Sequence, residues 1–137
     1  MSEPDYTALR EAVAELEAFE RGDLGIEHYA VMVPSERLED GSWRVGWPDY
    51  QPAMERLWSA FWAAGAMASP EAYTDWLARN ERPLQRPEEV ASLSRDELIV
   101  RLFAIRRGER FGDGHWISAL ERGYFLAFAR RLLALVV

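Results

Sequence analysis

The sequence predicts a mainly α-helical protein: a compact bundle of five or six helices, with a small β-hairpin between helices 1 and 2. Three observations carry this expectation. Apolar residues recur at i, i+3, i+4 and i+7 in several separate segments. Those segments open on capping residues or proline and close on glycine. One stretch, residues 23–48, breaks the helical spacing and alternates instead.

The first helix is expected from about Tyr6 to Arg21, with Leu9, Val13 and Leu16 on its apolar stripe and Ala12 and Phe19 widening it. Asp5 can accept from the free amides of the first turn, and Gly22 suits a left-handed stop. Glu11, Glu15, Glu17 and Glu20 read as a solvated outer face. In residues 23–48, Tyr29, Val31 and Val33 alternate with Ala30 and Met32, and Trp43, Val45 and Trp47 alternate after Asp40-Gly41. An Asp-Gly pair between two alternating runs signals a hairpin.

A second helix from about Pro52 to Ala64 carries Met54, Leu57, Trp58, Phe61 and Trp62 on one stripe and ends at Gly65. A shorter third helix begins at Ser69-Pro70 and presents Tyr73, Trp76 and Leu77, followed by a polar loop from Arg79 to Pro87. Ser94-Arg95-Asp96-Glu97 is a capping box opening a fourth helix, with Leu98, Ile99, Leu102, Phe103 and Ile105 on its apolar face. Glu97 precedes Arg101 by four residues, the favourable order for a helical ion pair. Gly108 is expected to end this helix. A short helix from about His115 to Arg122 and a last one from Tyr124 to about Leu135 complete the chain. The last is apolar on most sides and should be central.

The 137 residues fit one domain, taken as 1–137, and suffice for a core without disulfides or a structural metal. The absence of cysteine excludes thiol catalysis and cysteine-ligated zinc, and the absence of lysine excludes Schiff-base chemistry. The acidic first residues do not resemble a secretory leader, and the apolar run from Tyr124 to Val137 is shorter than the ~20 residues a membrane span needs. Cytoplasmic localisation is therefore expected. A net charge of −7 argues against a general nucleic-acid binder. The charge is uneven, with seven arginines against three acids between Arg101 and Arg131.

The most unusual stretch is Arg106-Arg107-Gly108-Glu109-Arg110-Phe111-Gly112-Asp113-Gly114-His115-Trp116, a helix junction rich in glycine and ionisable groups. Arg107, Glu109, Arg110, Asp113, His115 and Trp116 are the candidate ligand-binding residues. Each also has a structural reading. Asp113 suits a helix cap. The arginines, Arg106 included, can pair with Glu109, Asp113 or acids elsewhere, and Trp116 and Phe111 can be core residues. His115 beside Glu109 or Asp113 could act as a general base if geometry allowed. No nucleophile elbow, phosphate loop, dinucleotide fingerprint or paired-histidine zinc motif is present, and His28 and His115 lie far apart. No catalytic residues, cofactor or metal are assigned.

From about Met54 onward the chain resembles the bacterial domain-of-unknown-function family numbered six-five-zero-eight. The resemblance rests on the aromatic helix ending in Gly65, the helix containing Trp76, the block from Arg107 to Phe111 and on through Asp113 to Trp116, and the closing Glu121-Arg122-Gly123 and Arg130-Arg131-Leu132. It covers roughly the last 80 residues and implies a bacterial origin and a shared fold, with no activity to carry over.

Two functions are weighed. The first is a non-enzymatic binding or interaction module whose partner is a protein or a small anionic ligand, with homodimerisation open. The second is a small enzyme using Glu109, Asp113 and His115 beside arginines. A junction that packs shut, with its acids engaged internally, favours the first. An open pocket holding His115 and at least two arginines favours the second.

Overall fold

The apolar stripes lie on helices in the computed structural model, which describes residues 3–79, 81–109 and 114–136. Helix α1 spans Thr7–Glu20, α2 Pro52–Ala63, α3 Pro70–Ala78, α4 Arg95–Gly108, α5 His115–Glu121 and α6 Tyr124–Ala134, with 3-10 turns at Ile26–His28 and Pro87–Ser92. Leu9 and Leu16 of α1, Met54, Leu57 and Phe61 of α2, Leu98 and Leu102 of α4 and Phe125, Phe128 and Leu132 of α6 form one buried cluster. Helix α6 is central as its apolar character requires, packing on α1, α4, α5 and the second 3-10 turn. Its two arginines also hold it in place. Arg130 bonds Glu17 of α1 at 3.1 Å, and Arg131 Nε donates to the Leu93 carbonyl at 2.9 Å.

The local signals act where the sequence places them, with four corrections. The Thr7 amide donates to Asp5, holding that carboxyl below its ordinary range, although the cap position itself is Tyr6. Ser69 Oγ accepts from the Ala72 amide and Ser94 Oγ from the Glu97 amide. The first correction concerns the box at Ser94, which is only half formed. Glu97 turns its carboxylate to Arg101 at 3.0 Å rather than back to the serine amide. The second is that Trp62, placed on the apolar stripe, is 70% exposed, because the buried face of α2 is turned toward Ala53 and Ala60 and away from Trp62. The third is Leu77, read with the face of α3, which is likewise exposed. Helix α4 ends at Gly108 as expected, with no left-handed turn there. The fourth is the acidic face of α1. Glu15 meets His28 at 2.8 Å and Arg56 at 3.3 Å, so this face ties α1 to the first 3-10 turn and to α2.

The hairpin between α1 and α2 has the Asp40-Gly41 pair at its tip. Strands β1 (Ala30–Val33) and β4 (Trp47–Tyr50) pair antiparallel from Ala30↔Tyr50 to Val33↔Trp47. Strands β2 (Glu36–Arg37) and β3 (Trp43–Arg44) pair as Glu36↔Arg44 and Arg37↔Trp43. Both ladders share one register, so they are two parts of a single arm. Pro34 lacks a donor there, and the Gly46 amide bonds Ser35 Oγ instead of a strand partner. At the tip, the Leu38 amide donates to the Ser42 carbonyl at 2.8 Å and the Gly41 amide to Leu38 at 3.0 Å, with Gly41 at φ +89°. This is a three-residue turn closed by a left-handed glycine.

Candidate functional site

Glu109 follows the last turn of α4, and Gly114, at φ +86°, is the residue from which α5 starts. The start of a helix leaves amides without internal partners. Here Glu109 takes two of them: its carboxylate accepts from the Gly114 N–H and the Trp116 N–H, each at 2.9 Å. A negative group at this end of a helix is also favoured by the aligned peptide dipoles. The junction is thus held by its own acid. Arg110 and Asp113, two of the candidate residues, lie outside the described residues, and so do Phe111 and Gly112.

Helix α5 then divides its surroundings. Trp116 points inward, and its ring lies 4.8 Å from Tyr50 and 5.2 Å from Trp58, with its Nε1 donating to the Ile105 carbonyl at 3.2 Å. Trp58 meets Phe125 edge-on at 5.3 Å. This is the core reading of Trp116. Burial, and then the nearby Glu109 carboxylate, raise the Tyr50 phenol above its ordinary range. Arg107, Glu109 and Trp116 do come together along one groove, beside Arg106 and Phe103. Among the described residues, neither Arg106 nor Arg107 pairs with Glu109. Arg106 stacks over Trp58 at 5.4 Å and Arg107 over Tyr73 at 5.3 Å, so these two guanidiniums make cation–π contacts in place of the expected ion pairs.

His115 faces a different concavity. Two turns of α5, with Arg122 as its C-cap, place His115, Ser118 and Arg122 along one side, since residues three and four apart share a helix face. They border a cleft of about 300 Å³ between α3, α4, α5 and α6, walled by Trp76, Leu84, Ile105 and Phe128. The exposed His115 ring lies against Gly108 so closely that a Cβ there would overlap it. Arg101, on α4, also lines this cleft, and its guanidinium stacks over Trp76 at 5.3 Å while meeting Glu97 and Glu81. Arg122 lies over the Tyr124 ring at 5.1 Å and makes no ion pair among the described residues. None of the described lining residues is an acid. Arg101, Ser118 and Arg122 were not among the candidates from sequence. The spacing of His115, Ser118 and Arg122 was the available signal for two of them.

The fold and this cleft define a small helical protein with a β-arm and a cation-lined apolar cavity. The chain belongs to a family of unknown function, DUF6508, whose model matches residues 4–137. The match therefore includes α1 and the arm, beyond the last 80 or so residues on which the resemblance was first drawn. No curated protein and no solved structure matches the chain. No helix among the described residues is long and apolar enough to cross a membrane, and those residues contain no cluster of three or more potential metal ligands.

Proposed function

We propose that this chain is a non-enzymatic binding module, and that its cleft takes a small ligand with an apolar body and an anionic group. One observation carries this reading: a mostly apolar cavity bordered by Arg101, Arg122 and His115, with no acid among its described lining residues. Apolar walls with a few convergent polar groups are the usual form of a small-molecule site. Arg101 is already balanced by Glu97 and Glu81, which leaves Arg122 as the principal anion contact and His115 as a second donor. Trp76 adds a flat wall, and its buried Nε1–H has no acceptor among the described residues.

The same cavity satisfies one condition of the enzyme reading, since it holds His115 with two arginines. Of the two acids that reading uses, Glu109 accepts from two backbone amides instead of orienting the imidazole, which favours binding, and Asp113 lies outside the described residues. The groove beside Arg107, Glu109 and Trp116 remains a second candidate surface for a partner, while Arg110 and Asp113 lie outside the described residues. A bacterial origin and cytoplasmic location accord with the all-arginine, cysteine-free composition, and the acidic net charge accords with partners other than nucleic acid or an anionic membrane.

The test is a thermal-shift titration with benzoate, phenyl phosphate, acetate and inorganic phosphate. A ligand at about 100 times its Kd adds about 2.7 kcal/mol of stability, a shift of several degrees. The aryl anions are expected to raise Tm more than acetate or phosphate, and Arg122→Ala to remove the effect while leaving the circular dichroism spectrum unchanged. No shift with any of the four would overturn the reading.

A further inference from the structure

One wall of the cleft is a segment outside every helix and strand. Residues 81–85 make no backbone–backbone hydrogen bond among the described residues, so their path is set by side chains. Pro83 and Leu84 of this segment border the cleft. Three side chains that line the same cleft donate to the segment's carbonyls: Arg101 Nη2 to Arg82 at 3.1 Å, the Tyr124 hydroxyl to Leu84 at 3.4 Å and Arg122 Nη2 to Gln85 at 3.5 Å. The segment is held in turn by Glu89, in the second 3-10 turn. Its Oε1 accepts from the Gln85 amide at 3.2 Å and from the Arg86 amide at 3.1 Å. Glu89 is not among the described lining residues of the cleft.

We propose that Glu89 is a positioning residue for the anion contact of the cleft, acting through this segment; the proposal rests on the reading of the cleft as a ligand site. The link is covalent geometry. The Arg86 N–H and the Gln85 C=O belong to one planar peptide group and point in opposite directions. Glu89 fixes the N–H end, and the C=O end is thereby aimed at Arg122. The preceding peptide repeats the arrangement, with Glu89 on the Gln85 N–H and the Tyr124 hydroxyl on the Leu84 C=O. A guanidinium holds its five N–H donors in a rigid plane, so an anion needs that plane correctly turned. The Tyr124 ring supports the Arg122 plane at 5.1 Å, and the Gln85 carbonyl takes one Nη2 hydrogen. Two supports from different directions fix the plane and leave the other donors for a ligand. The bond to Gln85 is longer than the usual ~2.9 Å, so it persists only while the carbonyl is kept in place. A contact residue whose own neighbours lock its orientation binds a ligand without first being ordered by it.

Titration of the full chain with benzoate, followed by amide chemical shifts, tests this proposal. Glu89→Ala should raise the Kd about tenfold, as when the binding-competent arrangement falls to about a tenth of the population. Glu89→Gln keeps an acceptor oxygen for both amides and should bind nearly as the parent does. Gln85→Gly, at an exposed position, keeps both peptide groups but frees the backbone, and should also weaken binding. Far-UV circular dichroism checks folding; if Glu89→Ala unfolds, Gln85→Gly decides. A Glu89 with a merely structural role would lower the Tm of Glu89→Ala and leave the Kd unchanged, which overturns the proposal. Tighter binding by Glu89→Ala, or a Glu89→Gln variant no better than the alanine, overturns it too. A parent that binds no benzoate defeats the reading of the cleft and this proposal with it, whereas a parent that binds, matched by both Glu89→Ala and Gln85→Gly, defeats this proposal alone.

Discussion

The carboxylate of Glu109 accepts the backbone N–H of Trp116 at 2.9 Å, so the residue closing α4 also holds the start of α5. The same carboxylate takes the Gly114 amide, and the Trp116 ring is thereby seated between Tyr50 and Trp58. One side chain fixes the angle between two helices and the position of an aromatic cluster.

Glu109→Ala is accordingly expected to destabilise the fold by about 2 kcal/mol, since hydrogen bonds to charged groups contribute about 1.5–3 kcal/mol. Glu109→Gln keeps an acceptor and should lose less. Urea denaturation monitored by tryptophan fluorescence measures both. Equal stability of Glu109→Ala and the parent would remove the carboxylate from its structural role.

Gly108 and His115 form a second test. A methyl group at Gly108 would meet the far end of the exposed imidazole ring, which must turn aside, so Gly108→Ala should forfeit the roughly 0.5–1 kcal/mol that alanine usually gains over glycine in a helix. His115→Ala empties that space. The double variant should regain it, whereas simple additivity would show that the two residues do not press on one another.

Tyr29 is 1% exposed, and its hydroxyl has no hydrogen-bond partner among the described residues. Tyr29→Phe should therefore be neutral or stabilising by about 1 kcal/mol at pH 7, because it removes an unsatisfied buried group. Burial, and then Glu15, push the phenol from an ordinary 10 up to about 12. The sign follows from linkage: a group with a raised folded pKa contributes stability below its unfolded pKa and loses it as pH rises through the folded one. The parent should lose stability between about pH 10 and 12, and the phenylalanine variant should lose less. Identical pH profiles of Tm for the two proteins would refute the assignment.

Gly46 faces the Val33 carbonyl and the Ser35 amide so closely that a Cβ would collide with backbone atoms. Gly46→Ala should open the arm at its midpoint and cost about 2 kcal/mol, within the range for overpacked sites. Hydrogen exchange of the Val31 and Val33 amides reads this locally. Unchanged protection would show that the arm tolerates a side chain there.

The helices were legible because their apolar spacing and their caps agree. Ser69, Ser94, Gly22 and Gly65 all act where their types predict. The hairpin was legible from Asp40-Gly41, although β1 pairs with Trp47–Tyr50, further along than the Trp43–Trp47 run suggested. What the sequence obscured was direction. His115 and Trp116 are adjacent in the chain, yet about 100° apart around a helix, so one borders the cleft and the other enters the core. Arg101 and Arg122 lie 21 positions apart and meet across the same cleft only through the packing of α4 against α5. Glu109 looked like a candidate ligand group because its partners are backbone amides, which leave no trace in residue types.

The shared register of the two ladders constrains how this segment can change length. The pairs that exchange backbone hydrogen bonds are odd-numbered at the base of the arm and even-numbered at its tip, so the break at Pro34–Gly46 shifts the alternation and sets Trp43 on the opposite side from Trp47. A length change confined to one strand at this break would unseat one ladder against the other. Related chains should therefore keep the two strands matched there, gaining or losing residues on both together.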